Sequence, residues 1–155
     1  MPYTESKLCQ IDSLSCIGCC GHHFKSKEEL ELAIKKNTEE FGHFADKVEF
    51  MNRSAKLRDC GICRNIIYLE NGRIGCPLHP KENEVDFREG HCVTEHLCKA
   101  AFEFNLWDKQ KQKSFLGFIK KKNLDWYDYS IKMDNDAIIE EFDSLFSSAD
   151  KSLAP

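Results

Sequence analysis

The sequence predicts an α+β fold, mainly helical, in a single domain that carries a small β-hairpin and cysteine-rich loops. Three observations predict it. Apolar residues recur at helical spacing over most of the chain, one Asn-Gly step is flanked by β-prone residues, and nine cysteines fall in two clumps, Cys9 to Cys20 and Cys60 to Cys98. At 155 residues the chain is about one ordinary domain, long enough to build a core without disulfides, so the cysteines need another explanation. The expected organisation is one domain over 1–155, with a cysteine-rich part at 9–98, a helical part at 94–147 and a tail at 148–155.

The first helix is expected to open at Ser26-Lys27-Glu28-Glu29, where Ser26 caps and Glu29 stands three residues on, as in a capping box. Leu30, Ile34, Phe41, Phe44, Val48 and Met51 then place one apolar stripe on a helix of about 25 residues. From Asn65 to Glu70 the chain is β-prone, Asn71-Gly72 is the strongest two-residue hairpin signal, and Arg73 to Cys76 returns. That hairpin brings Cys63 and Cys76 close in space.

Beyond Cys92 a helix is expected near Thr94 or Glu95, burying Leu97, Ala100, Ala101, Phe104 and either Leu106 or Trp107. A second should cover Lys109 to Lys122 and bury Phe115, Phe118 and Ile119. Residues 123–132 read as aromatic-rich and irregular. A short acidic helix at 135–146 uses Ile138, Ile139, Phe142, Leu145 and Phe146, and residues 147–155 fray.

Composition narrows the function classes. The N-terminus is polar with no apolar segment behind it, so no secretory signal is read and the cytoplasm is the expected compartment. No stretch approaches the roughly 20 apolar residues that cross a bilayer. In a reducing compartment stable disulfides are uncommon, which leaves metal ligation or redox chemistry for clustered thiols. A formal net charge of −4 gives no overall footprint for nucleic acid. Six lysines between Lys109 and Lys122 are read as the solvated face of a helix whose aromatics are buried.

Three constellations carry the chemistry. Cys60-Gly61-Ile62-Cys63, twelve residues, then Cys76-Pro77-Leu78-His79 has four-coordinate spacing, because a Cys-x-x-Cys turn offers two thiolates to one ion and the hairpin returns Cys76. Cys9, six residues, Cys16, two residues and Cys19-Cys20 form the second. Neighbouring cysteines do not easily serve one mononuclear ion together, so one of Cys19 and Cys20 is expected to face a second metal, bridge two or stay free. Cys92 and Cys98 complete a site begun by another group, with His91 and His96 as ligands or hydrogen-bond donors, although the bland reading of each histidine is a surface or capping residue.

Cys16-x-x-Cys19-Cys20, the Gly75-Cys76-Pro77-Leu78-His79-Pro80 stretch and Arg88-x-x-His91-Cys92 together resemble the zinc- or iron-chelating cysteine-cluster family of CxxCxxCC type. The resemblance covers roughly Cys9 to Cys98 and implies that Cys16, Cys19, Cys20, Cys76 and Cys92 converge on metal. The chain departs from it with Ser13 where the early motif has a cysteine, and in offering Cys60 and Cys63. Some relatives methylate protein lysines, but no glycine-rich cofactor loop is visible here.

The expected cofactor is Zn2+, with iron or a [4Fe-4S] cluster as the alternative, since the proline after Cys76 matches the Cys-Pro step of ferredoxins. The expected partners are a metal ion, with room for a protein partner, and neither nucleic acid nor a membrane. The role read for the chain is structural or interaction-based rather than enzymatic. An iron–sulfur carrier or sensor and a thiol-based redox enzyme are the alternatives.

Overall fold

The computed structural model describes residues 6–53, 57–70, 72–88, 92 and 96–153, with the backbone alone for Lys81 and residues 147–153. Two short hairpins and six helices follow in order: β1 (Gln10–Ile11), β2 (Leu14–Ser15), α1 (Lys27–Gly42), α2 (Lys47–Asn52), β3 (Ile67–Tyr68), β4 (Ile74–Gly75), α3 (Lys99–Leu106), α4 (Lys109–Lys122), α5 (Trp126–Asp134) and α6 (Ala137–Leu153). This is the expected mainly helical α+β arrangement. The β3–β4 hairpin pairs Ile67 with Gly75 and Tyr68 with Ile74, close to the expected strands. The β1–β2 hairpin went unpredicted, because two-residue strands carry no readable alternation; Asp12 turns it with φ 52, a left-handed conformation that aspartate tolerates.

The capping box at Ser26 forms in both directions. The long helix does not. The chain leaves helical geometry after Gly42 and restarts at Lys47, where the Asp46 carboxylate accepts from the Glu49 N–H at 2.8 Å. Glycine costs about 1 kcal/mol in a helix interior, and a strong new cap four residues on makes the break favourable. The break turns Phe50 fully inward, a residue absent from the predicted stripe, and leaves Val48 44% exposed.

In the C-terminal half, α3 starts at Lys99 with Cys98 as its cap, later than expected; Thr94 and Glu95 lie outside the described residues. Helix α4 has the expected bounds and buries Phe115 and Ile119. Residues expected to be irregular form α5, capped by Asp125, which accepts from the Asp128 N–H, while Asn123 closes α4 in the left-handed conformation. Its aromatic content hid a capped helix that buries Tyr129. Helix α6 runs on to Leu153 rather than fraying from 147, and Leu145 is 59% exposed instead of buried. Among the described residues no helix is long and apolar enough to cross a membrane.

Two main cores result. The helical core gathers Ala100, Ala101, Phe104, Phe115, Ile119, Tyr129, Met133, Ile138, Ile139 and Phe142 from α3–α6, with Leu8 and Ile11 inserted from the N-terminus. The second joins Leu30 and Ile34 of α1 to Ile17, Cys60, Ile62, Ile66 and Ile74, and a small satellite holds Phe50, Ile67 and Leu78. Among the lysines of α4, Lys109, Lys113, Lys120 and Lys121 are exposed, whereas Lys122 pairs with Glu141 at 2.8 Å and the Lys111 ammonium lies 4.3 Å from the centre of the Trp107 ring.

One ion pair network braces the cysteine-rich half. Glu40 of α1 accepts from Arg58 at 2.7 Å and lies 3.2 Å from Arg53. Burial opposes ionisation of Glu40, but the hydrogen bond and charge of Arg58 and the charge of Arg53 outweigh it and hold the carboxyl below its ordinary value; burial pulls Arg53 slightly down in turn. A depressed carboxyl pKa contributes stability above the unfolded value of 4.5 that is lost as pH falls through the folded one. Glu40→Gln is therefore expected to cost about 1 kcal/mol at pH 7 and less near pH 3. Urea midpoints of both proteins at the two pH values check this.

Candidate metal centre

The loops that carry the cysteines are fixed by backbone contacts before any side chain is considered. Cys16 N–H donates to the Cys9 carbonyl at 2.9 Å, so these two residues face across the first hairpin. Cys63 N–H donates to the Cys20 carbonyl at 2.9 Å and His22 N–H to that of Gly61 at 3.1 Å, zipping the Cys19-Cys20 loop to the Cys60–Cys63 loop. The two backbones approach so closely that a Cβ on Gly61 would stand 2.3 Å from the His22 oxygen. The fully buried Asn37 amide donates to the carbonyls of Cys63 and Ile66 at 3.1 and 2.9 Å, and Ser15 Oγ accepts from Ile74 N–H at 3.2 Å, docking the first hairpin on β4 beside Cys76.

Sequence reasoning missed Asn37. Its signal was a polar residue three positions after Ile34 on the apolar stripe.

All nine cysteines are free thiols. Eight are linked, neighbour to neighbour, through one another's charge. Cys16 feels Cys9, Cys19 and Cys98; Cys20 feels Cys19, Cys76 and Cys63; Cys92 feels Cys63 and Cys19. Burial, the largest cause, pushes the Cys76 thiol up to about 12, and the charges of Cys63 and Cys92 add to it. Burial likewise raises Cys16, Cys63, Cys92 and Cys98. In the vicinal pair, a thiol–thiol hydrogen bond lowers Cys19 to about 6 and raises Cys20, so the proton rests on Cys20. Cys19 is an exposed residue, yet its sulfur is enclosed enough for desolvation to oppose ionisation; the charges of His96 and Arg88 help to ionise it.

Four of the sulfurs accept backbone N–H groups from just ahead in the chain: Gly18 to Cys16 at 3.4 Å, Asn65 to Cys63 at 3.4 Å, Ala101 to Cys98 at 3.5 Å, and Leu78 to Cys76. A thiol buried only as a small hydrophobe needs no such donor, whereas an N–H pointed at sulfur favours the thiolate. What opposes ionisation is burial and the mutual repulsion of the thiolates, and a divalent cation reverses both, deprotonating coordinating thiols outright. The donor set therefore suits a soft-ligand metal. Among the described residues no three cysteine, histidine, aspartate or glutamate side chains already stand in a metal-holding arrangement.

The structure separates the predicted residues. Cys9, Cys16, Cys19, Cys20, Cys63, Cys76, Cys92 and Cys98 come together, and Cys63 and Cys76 are neighbours as the hairpin predicted. Cys60 is a buried member of the α1 core against which Cys20, Cys63 and Cys76 pack, and its loop lines an open cavity of about 400 Å³ with Lys25, Lys36 and Arg58. His79 is within reach of Asp86, and His96 of Cys19; His91 lies outside the described residues. Arg88, clamped by Asp86 at 2.9 Å, puts a cation beside Cys76 and Cys92, and the buried Tyr129 hydroxyl lies near Cys9, Cys16 and Cys98 while donating to the Leu8 carbonyl at 2.6 Å.

No family model matches the chain, and neither a curated protein nor a solved structure matches it.

Proposed function

We propose that this chain is a metal-binding cysteine-cluster protein that takes zinc, with iron or a [4Fe-4S] cluster as the alternative, and that the metal serves a structural or interaction role rather than catalysis. The observation that carries the reading is the gathering of eight thiols from four separate loops, with backbone N–H groups pointed at four of the sulfurs. Cys16, Cys19, Cys20, Cys76 and Cys92, the positions of the family motif, are all among the eight. Bound metal would supply the positive charge that lets these thiols ionise together and would tie the loops to one another. Free thiols in this number suit a reducing compartment such as the cytoplasm.

A second reading has its own observation: Cys19, lowered to about 6 and next to Cys20, has the character of a reactive thiolate with a resolving partner. Metal content and a visible spectrum of protein purified without oxygen separate the two. Zinc without colour is expected, while iron and sulfide with a brown spectrum would move the role to electron transfer or sensing. Protein with no metal whose Cys19 reacts rapidly with a thiol reagent would establish the redox reading instead.

A further inference from the structure

We propose that the eight thiols form two separate four-thiolate metal sites, Cys9, Cys16, Cys19 and Cys98 in one and Cys20, Cys63, Cys76 and Cys92 in the other, with Cys60 in neither. The inference rests on the metal-binding reading and deepens it. The division follows the two cores. Cys16 and Cys98 pack against the helical core, and Cys20, Cys63 and Cys76 against the α1 core, in which Cys60 is itself a buried member, enclosed as a small hydrophobe. Each half has its own backbone link, Cys16 to Cys9 and Cys63 to Cys20, both at 2.9 Å.

Each half also has two sulfurs that accept backbone N–H groups: Cys16 and Cys98 in the first, Cys63 and Cys76 in the second. The surroundings differ as well. Tyr129 stands by the first set, and Arg88 lies by Cys76 and Cys92 of the second while also reaching Cys19.

The vicinal pair is where the sets meet. Two adjacent side chains reach one small ion together only with strain, but each can serve its own ion. Cys20 packs against the α1 core with Cys63 and Cys76, which leaves Cys19 to the other set. Four thiolates around each ion is the closed tetrahedral arrangement of structural zinc.

The test is zinc stoichiometry of the full chain, purified without oxygen from zinc-supplemented cells, with Co2+ exchange to count thiolates per ion. Two ions per chain are expected. Cys16→Ser or Cys98→Ser should leave one, as should Cys63→Ser or Cys76→Ser. The pair Cys16→Ser with Cys98→Ser should still leave one, and Cys16→Ser with Cys76→Ser none. Cys60→Ser should keep both. Helical circular dichroism identifies any variant that fails to fold, and the other variant of the same set then replaces it. A wild-type chain with a single ion, loss of an ion in Cys60→Ser, or loss of both ions in Cys19→Ser would overturn the partition while leaving metal binding intact. A wild-type chain without metal would overturn both.

Discussion

Replacing Gly61 with alanine is expected to destabilise the protein by about 3 kcal/mol and lower its thermal midpoint by about 10 °C, although only one methyl group is added. Gly61 has φ +98, outside the range open to ordinary side chains, and its Cβ would lie 2.3 Å from the His22 oxygen and 3.0 Å from that of His23. Both contacts are to backbone, so no flexible side chain can yield. Relief requires parting the strands joined by the Cys63-to-Cys20 and His22-to-Gly61 hydrogen bonds. The damage is therefore directional: Cys20 moves from Cys63, and zinc held through those thiols should be lost to a chelator faster than in the wild type.

Two other glycines calibrate the result. Gly72→Ala, at φ +79 with nothing within 4 Å, bears the conformational strain alone, about 1 kcal/mol. Gly117→Ala lies within α4 with open space around it and should stabilise by about 0.5–1 kcal/mol. A Gly61→Ala protein that melts no lower than Gly72→Ala would show that the two loops are not locked at this contact.

The sequence announced Gly61 as a turn residue but not as a contact. Its Cys-x-x-Cys frame is local and readable, whereas the approach of residues 21–23 is a tertiary fact with no local spacing to mark it. Cys60 illustrates the same limit: identical spacing serves a chelating turn or a plain one, and spacing alone does not decide between them. Helix α4 was readable to the residue because Asp108, the Phe115/Ile119 stripe and Asn123 all agree. Helix α5 was obscured because Trp126, Tyr127 and Tyr129 are indifferent helix formers, and the aspartate cap that starts it is a weaker signal than the aromatic run that hides it. The candidate centre was legible as a list of thiols. Its division was not, because membership of one core or the other depends on which helices pack together.

That division leads to the largest expected effect. A structural zinc site contributes on the order of 10 kcal/mol to folding, more than the net stability of most domains. Among the described residues, the loops carrying Cys9 to Cys20 and Cys60 to Cys76 hold no α-helix and no strand longer than two residues, and the core beneath them is small. The helical core is different in kind. Phe104, Trp107, Phe115, Phe118, Phe142 and Phe146 form a continuous run of ring contacts across α3, α4 and α6 with centroids 5.0–6.3 Å apart, and none of these contacts depends on a thiol. Chelation under reducing conditions is therefore expected to unfold the cysteine-rich half and leave much of α3–α6 formed. Amide exchange should read this directly, with protection lost at Ile62, Ile66 and Ile74 and retained at Phe115, Ile119 and Phe142. Uniform loss would mean that the two cores fold as one unit, and unchanged protection throughout would mean that the thiols hold no metal of structural consequence. Leu8 and Ile11 decide how the halves communicate. They enter the helical core from the strand beside Cys9, so release of the first site should expose them and loosen α5, where Tyr129 holds the Leu8 carbonyl, before α4.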